Sequence, residues 1–235
     1  MARRHAITLV EQGLRIPEDA FDFEGFKKWE ESDEFPETGR IDYLEGDIHV
    51  DMSPEDLYTH GAPKTAIAMR IAPIVSDADL GEVCIDSTRV RSQFAALSVE
   101  PDIAVVLESS LEAGTVRLLP AAARKGPERY AGLEGADLIV EIVSDSSVKK
   151  DLERLPPLYA AAGVPELWLV DARGENLRFD ILELQEGHYA PIAADAEGWI
   201  RSPRLGRLFR LVRQRKARAG AWCYRLEVRE TLPSS

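Results

Sequence analysis

One stretch constrains this chain more than any other. In Ala136-Asp137-Leu138-Ile139-Val140-Glu141-Ile142-Val143-Ser144, apolar residues occupy both alternating faces of a short run, so the strand it predicts is buried on both sides. Glu141 lies within that run. A carboxylate in such a place costs several kcal/mol unless it is paired, protonated or bound to a metal ion. A second carboxylate has a similar setting: in Val99-Glu100-Pro101-Asp102-Ile103-Ala104-Val105-Val106, Asp102 opens another apolar strand. Two neighbouring strands that each present one carboxylate make a hard-oxygen site, suited to magnesium or manganese rather than zinc. Each acid also has a plainer reading, Asp102 as a turn residue after proline and Glu141 in a buried ion pair with arginine or lysine.

The remaining periodicities place these strands in a mixed domain. Residues 21–32 put Phe23, Phe26 and Trp29 on one helical face, with acids early and Lys27 and Lys28 late. Strands are expected at 40–44 and 48–52, joined through Glu45-Gly46-Asp47, and a helix within 59–75 that Pro73 should end or kink. Further strands are expected at 82–90, 101–107 and 137–143. Residues 108–135, with four glycines and two prolines, read as a long mobile excursion. A helix from about Val148 to Ala162 would start at a Ser146 or Ser147 cap and stop at Gly163-Val164-Pro165. Strands at 166–170, 176–183, 188–193 and 224–228 complete an α/β or α+β domain with a mixed sheet. Trp168 and Tyr159 read as core residues rather than base-stacking platforms.

Composition narrows the setting. The 235 residues can bury roughly 70% of the unfolded surface without staples. Two cysteines far apart, Cys84 and Cys223, point to a reducing compartment, and no apolar run reaches membrane-spanning length. The N-terminal residues lack the apolar core of a secretory signal, so a soluble, cytoplasmic protein is expected. The net charge of −12 repels phosphate at long range. Yet between Arg201 and Arg218 stand eight basic residues and no acid, which leaves −20 on the rest. That stripe fits either an acidic partner, nucleic acid included, or a solvated edge strand or helix face.

Common sites are missing from the sequence. It has no phosphate-binding loop, dinucleotide fingerprint or serine nucleophile elbow, and its four histidines and two cysteines give no paired zinc spacing. The segments 41–54 (IDYLEGDIHVDMSP), 101–106 (PDIAVV), 137–147 (DLIVEIVSDSS) and 151–171 (DLERLPPLYAAAGVPELWLVD) resemble the PD-(D/E)XK nuclease superfamily, in its Uma-type restriction-endonuclease branch. The resemblance spans most of residues 20–212. It implies a restriction-endonuclease-like core over 21–212, with extensions at 1–20 and 213–235, and a mixed central sheet flanked by helices. It also implies hydrolysis of nucleic-acid phosphodiester bonds, probed first on DNA, with Mg²⁺ or Mn²⁺ as cofactor and a homodimeric enzyme.

By position, the resemblance makes Asp102, Glu141 and the Ile142 carbonyl metal ligands, with Asp42 completing the acidic cluster and His60 near a family histidine. The chain departs from the pattern at the lysine. Val143 stands two residues after Glu141, and Leu155 stands where this branch carries its lysine; Lys149, Lys150 and Arg154 are the nearest cations, of which Lys150 or Arg154 would be the catalytic surrogate. Asp145 also replaces a proline of the family turn. Two readings follow: an active metal-dependent endonuclease, or a catalytically inactive nuclease fold kept as a binding or assembly module. A metal-dependent phosphatase of another fold would fit the carboxylates but not the resemblance.

Overall fold

Alternation and turn chemistry give short strands punctuated, among the described residues, by four α-helices. The computed structural model describes residues 8–9, 14–120, 130–216 and 221–230. In chain order, β1 (Thr8–Leu9) and β2 (Leu14–Arg15) precede α1 (Phe23–Glu30), the hairpin β3 (Arg40–Leu44) and β4 (Asp47–Asp51), and α2 (Ala62–Ser76). Then come β5 (Gly81–Ile85), β6 (Arg89–Ser92), β7 (Leu97–Val99), β8 (Ile103–Leu107), α3 (Glu108–Ala113), β9 (Arg117–Pro120), β10 (Tyr130–Glu134) and β11 (Leu138–Ile142). The last elements are α4 (Leu155–Ala161), β12 (Glu166–Asp171), β13 (Arg178–Gln185), β14 (His188–Pro191), β15 (Ile200–Ser202), β16 (Arg207–Arg215) and β17 (Trp222–Glu230).

Two six-stranded sheets run β4-β3-β7-β6-β10-β9 and β14-β13-β12-β11-β8-β5, and β15-β16-β17 form a smaller third. β6 pairs parallel with β10, and β11 parallel with β12. The other pairings within the two larger sheets are antiparallel, which makes both sheets mixed.

Strand parity decides which residues meet. Leu138, Val140 and Ile142 of β11, with Ile103 and Val105 of β8, pack on Ile67, Ile71 and Val75 of α2 and on Phe209, Leu211 and Leu226 of the small sheet. Ile139 of β11 and Ala104 and Val106 of β8 face the opposite way, into a layer shared with Leu44, Val90, Leu97 and Leu133 of the other large sheet and with Leu155, Leu158 and Tyr159 of α4. Glu141 and Asp102 share the parity of that second layer. Arg40 and Asp42 share the parity of Leu44, so they enter the same layer from β3. The alternate β3 residues, Ile41 and Tyr43, pack on Phe23, Phe26 and Trp29 of α1 and on Leu14, Ile16 and Ala20.

Several expectations need correction. The strand expected at 82–90 is two strands, because Asp86 and Ser87 both take left-handed φ angles (50° and 47°) and send β5 and β6 into different sheets. Residues 108–135 hold α3, β9 and β10 rather than an unstructured excursion, with 121–129 outside the described residues. Gly132 belongs to β10 because the strands crowd there: a Cβ would lie 2.4 Å from the Arg89 carbonyl oxygen. Pro73 does not end α2, which continues to Ser76; in the last turn its carbonyl still accepts from the Asp77 amide at 2.9 Å. Ser147 does not cap the following helix through its side chain. Its hydroxyl donates to Asp151, and a wide π-type turn at Lys150–Arg154 leads into α4.

The basic stripe is in part an edge strand, and it is not a helix face. It supplies β15 and the middle strand β16, with Arg218 outside the described residues. β17 pairs along all of β16 and places Leu226 in the core. No helix among the described residues is long and apolar enough to cross a membrane.

Candidate active site

The β8–β11 register, Val140 opposite Ile103 and Ile139 opposite Ala104, brings Asp102 and Glu141 to the same end of adjacent strands. Both are buried. Asp102 Oδ2 accepts from the Ile142 amide at 2.7 Å, while Oδ1 accepts from Arg40 Nη2 at 3.0 Å. His60 Nε2 approaches Oδ2 at 3.3 Å. Burial opposes ionisation of Asp102, but His60, Arg40 and the Ile142 amide overcome it and hold the group well below the usual carboxylate range. The turn reading for Asp102 therefore describes its chain position but not its side chain, which is a buried, fully engaged anion.

His60 reaches this carboxylate because Asp56 organises the turn before α2, accepting from the amides of Tyr58 (2.9 Å) and Thr59 (2.7 Å). Its Nδ1 is buried without a hydrogen-bond partner and lies 3.3 Å from Glu55 Oε2. Burial pulls the imidazole down, but Asp102 and Glu55 outweigh it and raise its pKa. One donor atom each from Glu55, His60 and Asp102 falls within a 4.8 Å cluster able to hold a metal ion. Lys64, one helical turn beyond His60 and buried, donates to Glu55 at 2.7 and 2.9 Å and to Asp86 at 2.7 Å.

Glu141 has different company. Its Oε1 accepts from the Tyr159 hydroxyl at 2.5 Å, and among the described residues no arginine or lysine pairs with it. Burial, then repulsion from Asp151 and Asp102, raises its pKa well above the ordinary value. In place of the ion-pair alternative, the hydrogen-bond partner of Glu141 among the described residues is a phenol. Asp151 is buried too, and burial pushes it up to about 6 even though Lys150 and Ser147 pull against the rise. Its Oδ1 has no hydrogen-bond partner.

Lys150 and Arg154 part company at the turn before α4. Lys150 Nζ donates to Asp42 at 2.8 Å and lies 3.8 Å from Asp151 Oδ1. Burial disfavours its charge, but Asp42, Asp151 and Glu141 more than restore it. Asp42 also accepts from the Glu100 amide at 3.1 Å, and against burial Lys150 and Arg89 keep it ionised. Arg154 turns to the β3–β4 hairpin, 2.7 Å from His49 Nε2 and 2.9 Å from Asp47. Leu155 is wholly buried in the core layer.

The structure therefore brings together Asp102, Glu141, Ile142, Asp42, Lys150 and His60, and separates Arg154 from them. Arg40, Glu55, Lys64, Asp151 and Tyr159 join the cluster without having been singled out from sequence. Strand parity could have found Arg40, two residues from Asp42, and the i, i+4 spacing from His60 could have found Lys64. Arg40 and His60, which hold Asp102, also wall a cavity of about 410 Å³ together with Asp51, Glu55, Asp56, Asp86, Glu100 and Asp145.

Known proteins bear on this arrangement. Residues 23–212 match the family model described as "Uma2: Putative restriction endonuclease". The fold is similar to the crystal structure of a putative nuclease belonging to DUF820 from Anabaena variabilis, with 19% identity, 78% of this chain and 90% of that one covered, and a TM-score of 0.57. No curated protein matches the chain. The buried carboxylates at the ends of β8 and β11 thus lie within the matched region, and the chain belongs to the Uma2 family of putative restriction endonucleases.

Proposed function

We propose that the protein is a Mg²⁺- or Mn²⁺-dependent endonuclease that hydrolyses phosphodiester bonds of DNA. The observation that carries this reading is the pairing of Glu141 with Asp151. Asp151 and Asp102 both oppose ionisation of buried Glu141, and Asp151 Oδ1 has no hydrogen-bond partner, with Lys150 Nζ 3.8 Å away. A divalent ion beside Glu141 would offset that repulsion, and in this sense the residues present fit one. Asp102, Glu141 and the Ile142 carbonyl would hold it, with Asp42 completing the acidic set; Glu55 and His60 offer further donors beside Asp102. Bound there, such an ion would supply Lewis-acid polarisation of the scissile phosphate and of a water molecule.

The chain's own groups supply the rest. Lys150, held between Asp42 and Asp151, stabilises negative charge gathering on the phosphate, the task of the lysine that Leu155 lacks. Arg40 in the cavity wall pairs with a phosphate oxygen. Where His60 does not serve as a metal donor, its pKa, raised by Asp102, lets it offer a proton at Nδ1 to the leaving oxygen. Cutting both strands of a duplex calls for two such sites, so a two-fold homodimer acting in the cytoplasm belongs to the same reading.

One observation favours the inactive alternative: both oxygens of Asp102 already meet protein donors, Arg40 on one side and Ile142 and His60 on the other. Cleavage of supercoiled plasmid and single-stranded DNA in Mg²⁺ and Mn²⁺ decides between them. Metal-dependent cutting that disappears with Glu141→Ala supports the enzyme. If wild type neither cuts nor takes up Mn²⁺, the fold serves as a binding or assembly module.

A further inference from the structure

The cavity walled by Arg40 and His60 raises a difficulty for any polyanionic substrate. Six carboxylates line it against Arg40 and His60. A sugar–phosphate backbone brought there meets like charge, and a metal ion neutralises only the part next to the buried acids. Affinity for the backbone must therefore come from another surface of a chain whose net charge is −12.

The small sheet β15-β16-β17 has the opposite character. Two grooves flank β17, of about 640 and 740 Å³, and they share Arg225 and Glu227 as lining residues. The first also presents Arg70 and Arg229, the second Arg210 and Arg213. Their acids are Glu227, shared by both, and Glu175. Arg225 and Arg229 are 68% and 52% exposed at their side chains, so their guanidinium groups stand in water.

The arginines are also braced. Arg210 and Arg229 lie 4.7 and 4.1 Å from the Trp199 ring centroid, and Arg213 and Arg215 lie 4.2 and 4.6 Å from that of Trp222. A guanidinium laid on an indole loses part of its rotamer freedom in advance, which lowers the cost of ordering it on a ligand. Arg213 spends its donors on the backbone carbonyls of Ala172, Gly174 and Glu175 and keeps its charge unpaired by any acid among the described residues. Arg210 and Arg225 share a single carboxylate, Glu227, at 2.6 and 2.7 Å. Two guanidinium groups converging on one anion show the spacing at which a phosphate could bridge them.

We infer that the β15–β17 sheet is a docking surface for the sugar–phosphate backbone of a nucleic acid, built from arginines stacked on Trp199 and Trp222. This rests on the nuclease reading for its biological sense but not for its chemistry. Contacts to backbone alone position the strand without reading bases, so binding is independent of sequence and sensitive to salt. Glu227 acts as an internal competitor for the phosphate.

Anisotropy of fluorescein-labelled duplex and single-stranded DNA, titrated with full-length protein in EDTA at low salt, tests the surface. Arg225→Gln with Arg229→Gln should weaken binding about tenfold and lower the salt slope by about 2, one per lost phosphate contact. Glu227→Gln should tighten binding, a gain that damage to the fold would not produce. Wild type that fails to bind either DNA, or variants that bind as wild type does, would overturn the inference. So would loss of self-association in the double variant at unchanged DNA affinity, which would assign the face to a second copy of the chain. Plasmid cleavage separates the two readings. Arginine-dependent binding without cleavage leaves the surface standing and removes the nuclease; cleavage with arginine-independent binding does the reverse.

Discussion

The acidic end of the β8–β11 pair and the basic sheet at the C-terminal end of the chain solve opposite problems. At the first, carboxylates are buried where water cannot screen them, so the pKa values of Glu141 and Asp151 are raised and Asp102 is held by Arg40, His60 and a backbone amide. At the second, arginines stay in water and lean on indoles, with their charge only partly answered by Glu197, Glu227 and Glu230. Burial concentrates electrostatic energy in a few atoms, which suits a metal ion and a single scissile phosphate. Exposure spreads it over a surface, which suits a polymer. Binding and chemistry need not share a site, and here the charges are sorted as if they do not.

The strongest way to break this division is at Lys150, the cation held between Asp42 and Asp151. Lys150→Ala should lower plasmid cleavage on the order of a hundredfold, while Arg154→Ala, on the hairpin side, should change it only a few-fold; equal losses would mean that the turn positions the two cations alike. Salt sharpens the contrast. Raising it from about 50 to 200 mM should weaken DNA binding by about tenfold or more, since that attraction is at the surface. Mn²⁺ binding at the buried acids, measured by calorimetry, should change far less.

Acidity separates the regions further. Glu141 and Asp151 have folded-state pKa values raised above the unfolded ones, Asp151 from 3.8 to about 6, so the metal-free fold is favoured while they are protonated and loses that support as pH rises through this range. Asp102 and Asp42 are lowered, so their contribution is present near neutrality and lost only in stronger acid. In EDTA the melting temperature should therefore fall between about pH 5 and pH 7, and Asp151→Asn should remove about 1 kcal/mol of the stability lost over that interval. A melting temperature that rises over the same interval would show that the acids are paired by charge after all. The smallest effect expected is at Tyr159→Phe. Loss of the phenol that donates to Glu141 should cost about 1–2 kcal/mol by denaturant titration, and Mn²⁺ should recover part of it.

The double-sided apolar runs announced β8, β11 and β12, and with them the neighbourhood of Asp102 and Glu141. Parity arguments sufficed there because each strand is short and buried on both faces. They failed where a rule depended on distant contacts. Gly132 looks like loop punctuation, yet it is a glycine because Arg89 of the parallel strand β6 crowds it. Asp86 and Ser87 carry no sequence signal for left-handed backbone strong enough to divide one strand into two sheets. In the site, the carboxylates were legible because charge inside an apolar run is costly. Their partners were not. Arg40, Lys64 and Asp151 are ordinary surface-type residues until the fold closes over them, and Tyr159 reads as core because all but its hydroxyl is core. The basic stripe was visible as composition, but its place as the middle strand of a sheet, braced by Trp199 and Trp222, comes only from pairing across β16.

Calorimetric titration of the metal-free protein with Mn²⁺ near pH 6, repeated with Glu141→Gln, tests the claim that the buried acids form a cation site. Wild type should bind Mn²⁺ and release protons, seen as a heat that varies with buffer ionisation enthalpy, because the ion displaces those held by Glu141 and Asp151; the variant should lose both the binding and most of the proton release. Wild type without binding, or a variant that binds as tightly and releases as many protons, would contradict it.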